Sequence, residues 1–222
     1  MSVLNVAMLP IQTFPKWPVE ASTAGFITRI PGVDTHVDRD AALLRLNEQH
    51  RALLDAAGCV GQSLKTARQV HGARVVVVHD AMENTAHLSA DGLCTNCPGV
   101  VLGIYVADCA PVFLHDPVHK AIALLHSGKK GSALGIVKCA VRLMSLAFES
   151  APSDLRLLVG PCIRPPHYEI DFAKQILADA HAAGLRDCED CGDCTGADLK
   201  RYYSYRMEQG RTGRMLAFLA LP

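Results

Sequence analysis

The stretch VVLGIYVADCAPVFLHDPVHKAIALLHSGKKG, residues 100–131, decides how this chain folds. Val100 to Ala107, Pro111 to Leu114 and Ala121 to Leu125 are continuously apolar rather than alternating. Runs of this length are strand-sized, and strands apolar at every position are buried on both faces. Asp108-Cys109-Ala110 separates the first two runs, and Asp116-Pro117 turns the chain before the third. After Gly128 and Gly131 the pattern changes. Leu134, Val137, Val141, Met144 and Phe148 recur at steps of three and four, which predicts a helix from about Ser132 to Phe148.

Working outward, Ala41, Leu44, Leu46, Leu53 and Leu54 predict a helix over Asp38 to Ala57, stopped by Gly58. Phe26 to Arg29 reads as a short strand. Arg74 to His79 reads as a β-branched strand entered through a turn at His71-Gly72. Leu155 to Val159 is a further strand, and Phe172 to Ala183 a second amphipathic helix ended by Gly184. Pro10, Pro15 and Pro18 argue against helix in the first twenty residues, which are expected to end in a short extended segment. There is no repeat or linker, and 222 residues bury one core. The expectation is an α+β fold, one domain over residues 1–222.

Half of the residues are apolar, and 22 basic side chains balance 22 acidic ones. That balance argues against an extended nucleic-acid footprint and against a polybasic membrane patch. The opening Met1-Ser2-Val3-Leu4-Asn5-Val6 lacks a basic region followed by an apolar stretch, so no signal peptide is expected. No apolar run is long enough to span a bilayer, and a cytoplasmic protein is expected. Nine cysteines, an odd number without a secretory signal, argue for reduced thiols. Cys94/Cys97, Cys188/Cys191 and Cys191/Cys194 form Cys-x-x-Cys pairs. They read either as core and loop thiols or as a structural zinc site joining Cys94 and Cys97 to the C-terminal cluster.

His71 in Gln69-Val70-His71-Gly72, Cys109 in Ala107-Asp108-Cys109 and His126 in Leu125-His126-Ser127-Gly128 carry the chemistry. Each ends a strand-like run or stands beside a glycine. Two imidazoles and a thiolate suit zinc or a similar divalent metal, and three protein ligands leave a fourth position open. Asp108 reads either as a general base or ligand-orienting carboxylate, or as a turn residue accepting backbone hydrogen bonds. Lys129 and Lys130, in a glycine-bounded turn that opens a helix, form a weak anion cradle. His79, His87, His115, His119 and His181 have no such context and read as surface residues.

Several short motifs occur in a fixed order. They are Gln69-Val70-His71-Gly72, Val106 to Pro111, His126 to Gly131, Val159-Gly160-Pro161-Cys162-Ile163, Cys194-Thr195, Tyr203-Ser204-Tyr205-Arg206 and Thr212-Gly213-Arg214. From about Gly25 to Leu219 the ordered set resembles the YfiH/YlmD family of laccase-domain proteins and purine nucleoside phosphorylases. The resemblance implies a YfiH-like α/β/β/α layering with mixed sheets, and zinc (or copper) on His71, Cys109 and His126. It implies phosphorolysis of adenosine, inosine, guanosine and methylthioadenosine, together with deamination of adenosine. On that reading Asp108, Cys109 and His126 are catalytic, and Gln69 contacts the nucleoside. Arg29, Lys130 and Arg206 bind phosphate. Partners would be a nucleoside and phosphate only, and the protein a monomer or weak homo-oligomer.

The sequence departs from the family in two places. Lys129-Lys130 stands where Trp-Arg is usual, and Arg206-Met207 where Arg-Arg is usual. Cys94, Cys97, Cys188 and Cys191 are additions without a place in the family's chemistry. Three alternatives remain at this point. These are a copper-dependent polyphenol oxidoreductase, a metal-free hydrolase with Cys109 as nucleophile, and a zinc-stabilised binding module built on the Cys-x-x-Cys pairs.

Overall fold

The computed structural model describes residues 9–15, 17 and 22–221, so the opening six residues and Pro18 lie outside it. One sheet has five strands in the order β1 (Ile11–Gln12), β2 (Thr23–Ile27), β11 (Met215–Ala220), β6 (Val100–Val106) and β3 (Ser63–Lys65). The other has six: β10 (Asp187–Asp190), β9 (Arg156–Val159), β7 (Ala110–Asp116), β8 (Ala121–Ser127), β5 (Gly92–Thr95) and β4 (Val75–Val77). Both are mixed: β3 runs parallel to β6, β4 to β5 and β10 to β9, and the other pairs are antiparallel.

The continuous apolar runs follow from what covers each face. Phe113, Ile122 and Leu124 enter the core shared with β6 and β11 of the other sheet. Val112, Leu114, Ala123 and Leu125 point the opposite way, into a second core under helices α3 (Ile136–Phe148) and α4 (Phe172–Ala182). Helix α1 (Arg39–Ala56) joins the first core through Leu46, Leu53 and Leu54 and lays His50 against the Tyr105 ring of β6 at 5.6 Å. Asp38 caps α1, its Oδ1 accepting from the Asp40 and Ala41 N–H groups at 3.0 Å each. The result is the expected α/β/β/α layering. Among the described residues no helix is long and apolar enough to cross a membrane.

Several expectations need correction. The helix expected from Ser132 to Phe148 is two helices, α2 (Lys129–Ala133) and α3, because Gly135 takes φ +71 and breaks the ladder. Leu44 is 78% exposed: the buried face of α1 runs through Ala42, Leu46, His50, Leu53 and Leu54. His115 is not on the surface but 1% exposed on β7. Cys94 on β5 and Cys188 on β10 are separated by β8, β7 and β9, roughly 19 Å at the usual strand spacing. One structural ion cannot join them.

Candidate metal centre

The site forms where strand ends of the six-stranded sheet meet one loop. In the β7–β8 pair Ala110 stands opposite Ser127, so the turn before β7 and the end of β8 lie side by side. Cys109 occupies that turn and His126 the end of β8. His71 comes from the loop ahead of β4. Ligand atoms of His71, Cys109 and His126 lie within 4.8 Å of one another, and the two imidazole rings are edge-to-face at 4.8 Å. Among the described residues this is the one group of three or more such side chains placed to share an ion. His126 is buried, Cys109 half-buried and His71 exposed, so the group opens on the His71 side. Its donors, two nitrogens and one sulfur, fit zinc.

Asp91, fully buried just before β5, ties the site together. Its Oδ1 lies 2.8 Å from His126 Nδ1 and accepts the His71 backbone N–H at 2.8 Å. Its Oδ2 accepts from Gly72 N at 2.7 Å and Val70 N at 3.2 Å. One carboxylate thus orients one ligand ring and anchors the loop that carries the other, where His71 takes φ +59. With Nδ1 engaged, Nε2 is the His126 nitrogen that would be left to hold an ion.

Charge is coupled tightly here. Burial would raise the Asp91 carboxyl, but His126 and the Gly72 and Val70 amides hold it below its ordinary range. Burial would lower His126, yet hydrogen bonds with Asp91 and Cys109 bring it to about 9. Burial would raise the Cys109 thiol, and the same bonds from His126 and His71 bring it down to about 6. A thiolate prepared for a cation results. Gly128 is required beside it, since a Cβ there would stand 2.5 Å from Cys109 Sγ.

The three side chains line a cavity of about 1130 Å³. Tyr105, Ile163, Tyr168, Phe172 and Tyr205 give it apolar and aromatic walls. Arg39, Lys129, Lys130, Arg206 and Arg214 supply cations, while Asp108 is its one carboxylate.

The expected substrate residues divide. Gln69, Lys130 and Arg206 reach the cavity, but Arg29 does not. Arg29 instead pairs with Glu208 at 2.7 Å, donates to the Tyr202 carbonyl and lies over the Tyr203 ring at 4.3 Å. Both ends of the Gln69 amide are engaged by the Tyr105 backbone, at 2.7 and 3.1 Å. Asp108, at φ +85, accepts from Thr195 Oγ1 at 2.8 Å and from the Arg206 N–H at 2.7 Å. These bonds hold the 195 and 206 segments against the Cys109 turn. The carboxylate that orients an imidazole is Asp91, which the sequence reading missed. Ala90-Asp91-Gly92 looks like an ordinary turn, and only the pairing of β5 with β8 brings it beside His126. Arg39 and Arg214 were also missed, although Thr212-Gly213-Arg214 stood out as a motif.

Comparison with known proteins gives a consistent picture. The model of a family described as multi-copper polyphenol oxidoreductase laccase matches residues 32–183 and 170–222. A purine nucleoside phosphorylase of Deinococcus radiodurans is 32% identical over 96% of this chain and 94% of its own. The purine nucleoside phosphorylase YlmD of Bacillus subtilis is 29% identical over 89% of this chain and 88% of its own. The crystal structure of YlmD from Geobacillus stearothermophilus shares the fold, with TM-score 0.81 at 24% identity over 90% of this chain and 92% of that one.

Proposed function

This chain belongs to the YfiH/YlmD family of laccase-domain proteins, and on that footing we propose that it is a zinc-dependent purine nucleoside phosphorylase with adenosine deaminase activity. The observation that carries the reading is the cavity itself. Its floor is a His, His, Cys group, its walls hold aromatic rings, and its cations outnumber its acids five to one. Zinc held by His71, Cys109 and His126 would supply Lewis acidity at an open coordination position.

The chain's own residues do the rest. Tyr168 and Phe172, edge-to-face at 6.0 Å, offer a wall for a purine ring. In phosphorolysis the C1′–N9 bond breaks and a C1′–O bond to phosphate forms, while the proton of hydrogen phosphate passes to the departing base. Positive charge develops on the ribose, so the anion must be held against C1′. Lys130 and Arg206 contribute positive potential to that end. Gln69 fixes the Tyr105 wall beside the nucleoside, and Asp108 keeps the Arg206 segment on the Cys109 turn. In deamination water forms a C–O bond at C6, the C6–N6 bond breaks, and the amino group leaves as ammonia, so adenosine becomes inosine. The substrates expected are adenosine, inosine, guanosine and methylthioadenosine.

The test is to incubate metal-quantified protein with adenosine and phosphate and to follow free base, ribose 1-phosphate and inosine. All three should form, and chelation or His126→Ala should abolish them. No turnover from protein with a filled metal site overturns the assignment.

Two other readings have some footing. Phenol oxidation carries the family's description, but a multicopper enzyme needs several metal clusters, and the described residues hold one. The Cys109 sulfur between two imidazoles also fits a cysteine nucleophile. That enzyme would work after chelation and stop on alkylation.

A further inference from the structure

The five cations of the cavity are not equivalent, and this argument rests on the phosphorolysis reading. Arg206 is committed: it pairs with Glu169 at 2.9 Å and lies over the Tyr168 ring at 4.7 Å. Lys129 and Lys130 stand exposed on a five-residue helix. Arg214 differs from all three. It is 8% exposed, and its Nη1 donates to the Thr212 and Gly213 carbonyls at 2.9 Å each. Those two bonds fix the guanidinium plane and use one of its three nitrogens. No carboxylate pairs with it among the described residues, and the Tyr205 ring lies 5.8 Å from its carbon.

A buried guanidinium whose direct partners are neutral carbonyls is costly to keep charged, so an anion that could contact its free nitrogens would be favoured. Its charged surroundings sharpen the point. Burial and the like charge of Arg39 both act against its ionisation, while the Asp108 carboxylate and Cys109 sulfur favour it. Arg39, in the first turn of α1, lines the same cavity as Arg214. Its own ion pair, to Asp40 at 3.5 Å, is long and exposed. Two guanidiniums lining the same cavity as His71, Cys109 and His126 match the flat, multidentate donors that phosphoryl oxygens accept from.

We propose that Arg214 and Arg39 form the seat for inorganic phosphate, with Arg214 as the rigid member and Arg39 closing over it. On this proposal phosphate takes the arginine seat and the nucleoside the aromatic wall of Tyr168 and Phe172, so the two bind together rather than in competition.

Calorimetric titration of inorganic phosphate into the metal-loaded protein tests this directly. Wild type should bind, and Arg39→Gln and Arg214→Gln should each bind roughly tenfold to a hundredfold more weakly. Arg142→Gln, on the exposed face of α3, should match wild type. In turnover the phosphate KM should rise in both variants while the adenosine KM holds. Among the described residues Arg39 makes no hydrogen bond to the backbone, so Arg39→Gln keeps the test valid if Arg214→Gln fails to fold. Unchanged phosphate binding in a folded Arg39→Gln overturns the seat, as does loss confined to Lys130→Gln. A nucleoside 5′-monophosphate that binds through the two arginines and displaces both phosphate and adenosine also overturns it. Phosphate binding that depends on both arginines, without phosphorolysis of any nucleoside, would sustain the seat and defeat the reaction assignment instead.

Discussion

Asp91 and His126 are joined twice. The carboxylate meets the imidazole Nδ1 at 2.8 Å, and the Asp91 carbonyl accepts the His126 backbone N–H at 2.7 Å. The first link sets which ring nitrogen faces the cavity, and the second fixes the register that puts it there. Asp91→Asn keeps size and most hydrogen bonds but removes the charge. Such outer partners are typically worth 10–100-fold in metal affinity, and a loss of about that size is expected. Competition with a chelator measures it, and wild-type affinity would show that the backbone link suffices.

Gly128→Ala tests the close approach on the other side of the site. The added Cβ would stand 2.5 Å from Cys109 Sγ, so the sulfur or the turn must shift. Overpacking of this kind costs about 1–3 kcal/mol, and here it also misplaces a ligand. Lower thermal stability together with lower metal content is expected. A fall in stability with full metal content would separate the two effects.

Arg29→Ala should destabilise the protein without raising the KM for phosphate. Glu208 Oε2 accepts from Arg29 at 2.7 Å, from Thr212 Oγ1 at 2.6 Å and from Ser204 N at 3.0 Å, so among the described residues Arg29 is its cationic partner. Leaving that part-buried carboxylate uncompensated costs about 1–3 kcal/mol. Denaturant unfolding with parallel kinetics checks both halves.

Acid should weaken the fold through His50. The ring is 1% exposed, neither nitrogen has a well-formed hydrogen bond among the described residues, and burial lowers it from 6.5 to about 4 despite the nearby Arg214 carbonyl. The unfolded chain then binds the proton more readily than the folded one. Stability from this residue is complete above pH 6.5 and drains away as pH falls toward 4, by about 3 kcal/mol at most. His50→Leu should flatten that part of the stability–pH curve, which melting at a series of pH values would show. An unchanged slope would mean other groups dominate.

What the sequence disclosed, and what it hid, follows from the range of the forces involved. Strands β6, β7 and β8 were legible because burial on both faces writes itself into every residue. Helices α1 and α4 were legible because their caps and stops are local. Strand β11, Met-Leu-Ala-Phe-Leu-Ala, carries the same apolar signal, but its place between β2 and β6 depends on partners more than a hundred residues away. His71, Cys109 and His126, which the fold brings together, could be picked out by side-chain chemistry and glycine neighbours. Asp91 could not, because an aspartate before a glycine is commonplace until a neighbouring strand delivers a histidine to it. Leu44 misled for the opposite reason: an apolar residue on a solvent face obeys no periodic rule.

The candidate metal positions are set by strand ends in the middle of the six-stranded sheet and the loop ahead of β4, whereas much of the cavity wall comes from later segments around residues 163–172 and 205–214. Mutation can therefore rework the walls while leaving the ion's cradle alone. A lineage built on this plan is free to trade one small molecule for another without inventing its reactive centre afresh, and divergence among relatives should be sought in those late segments.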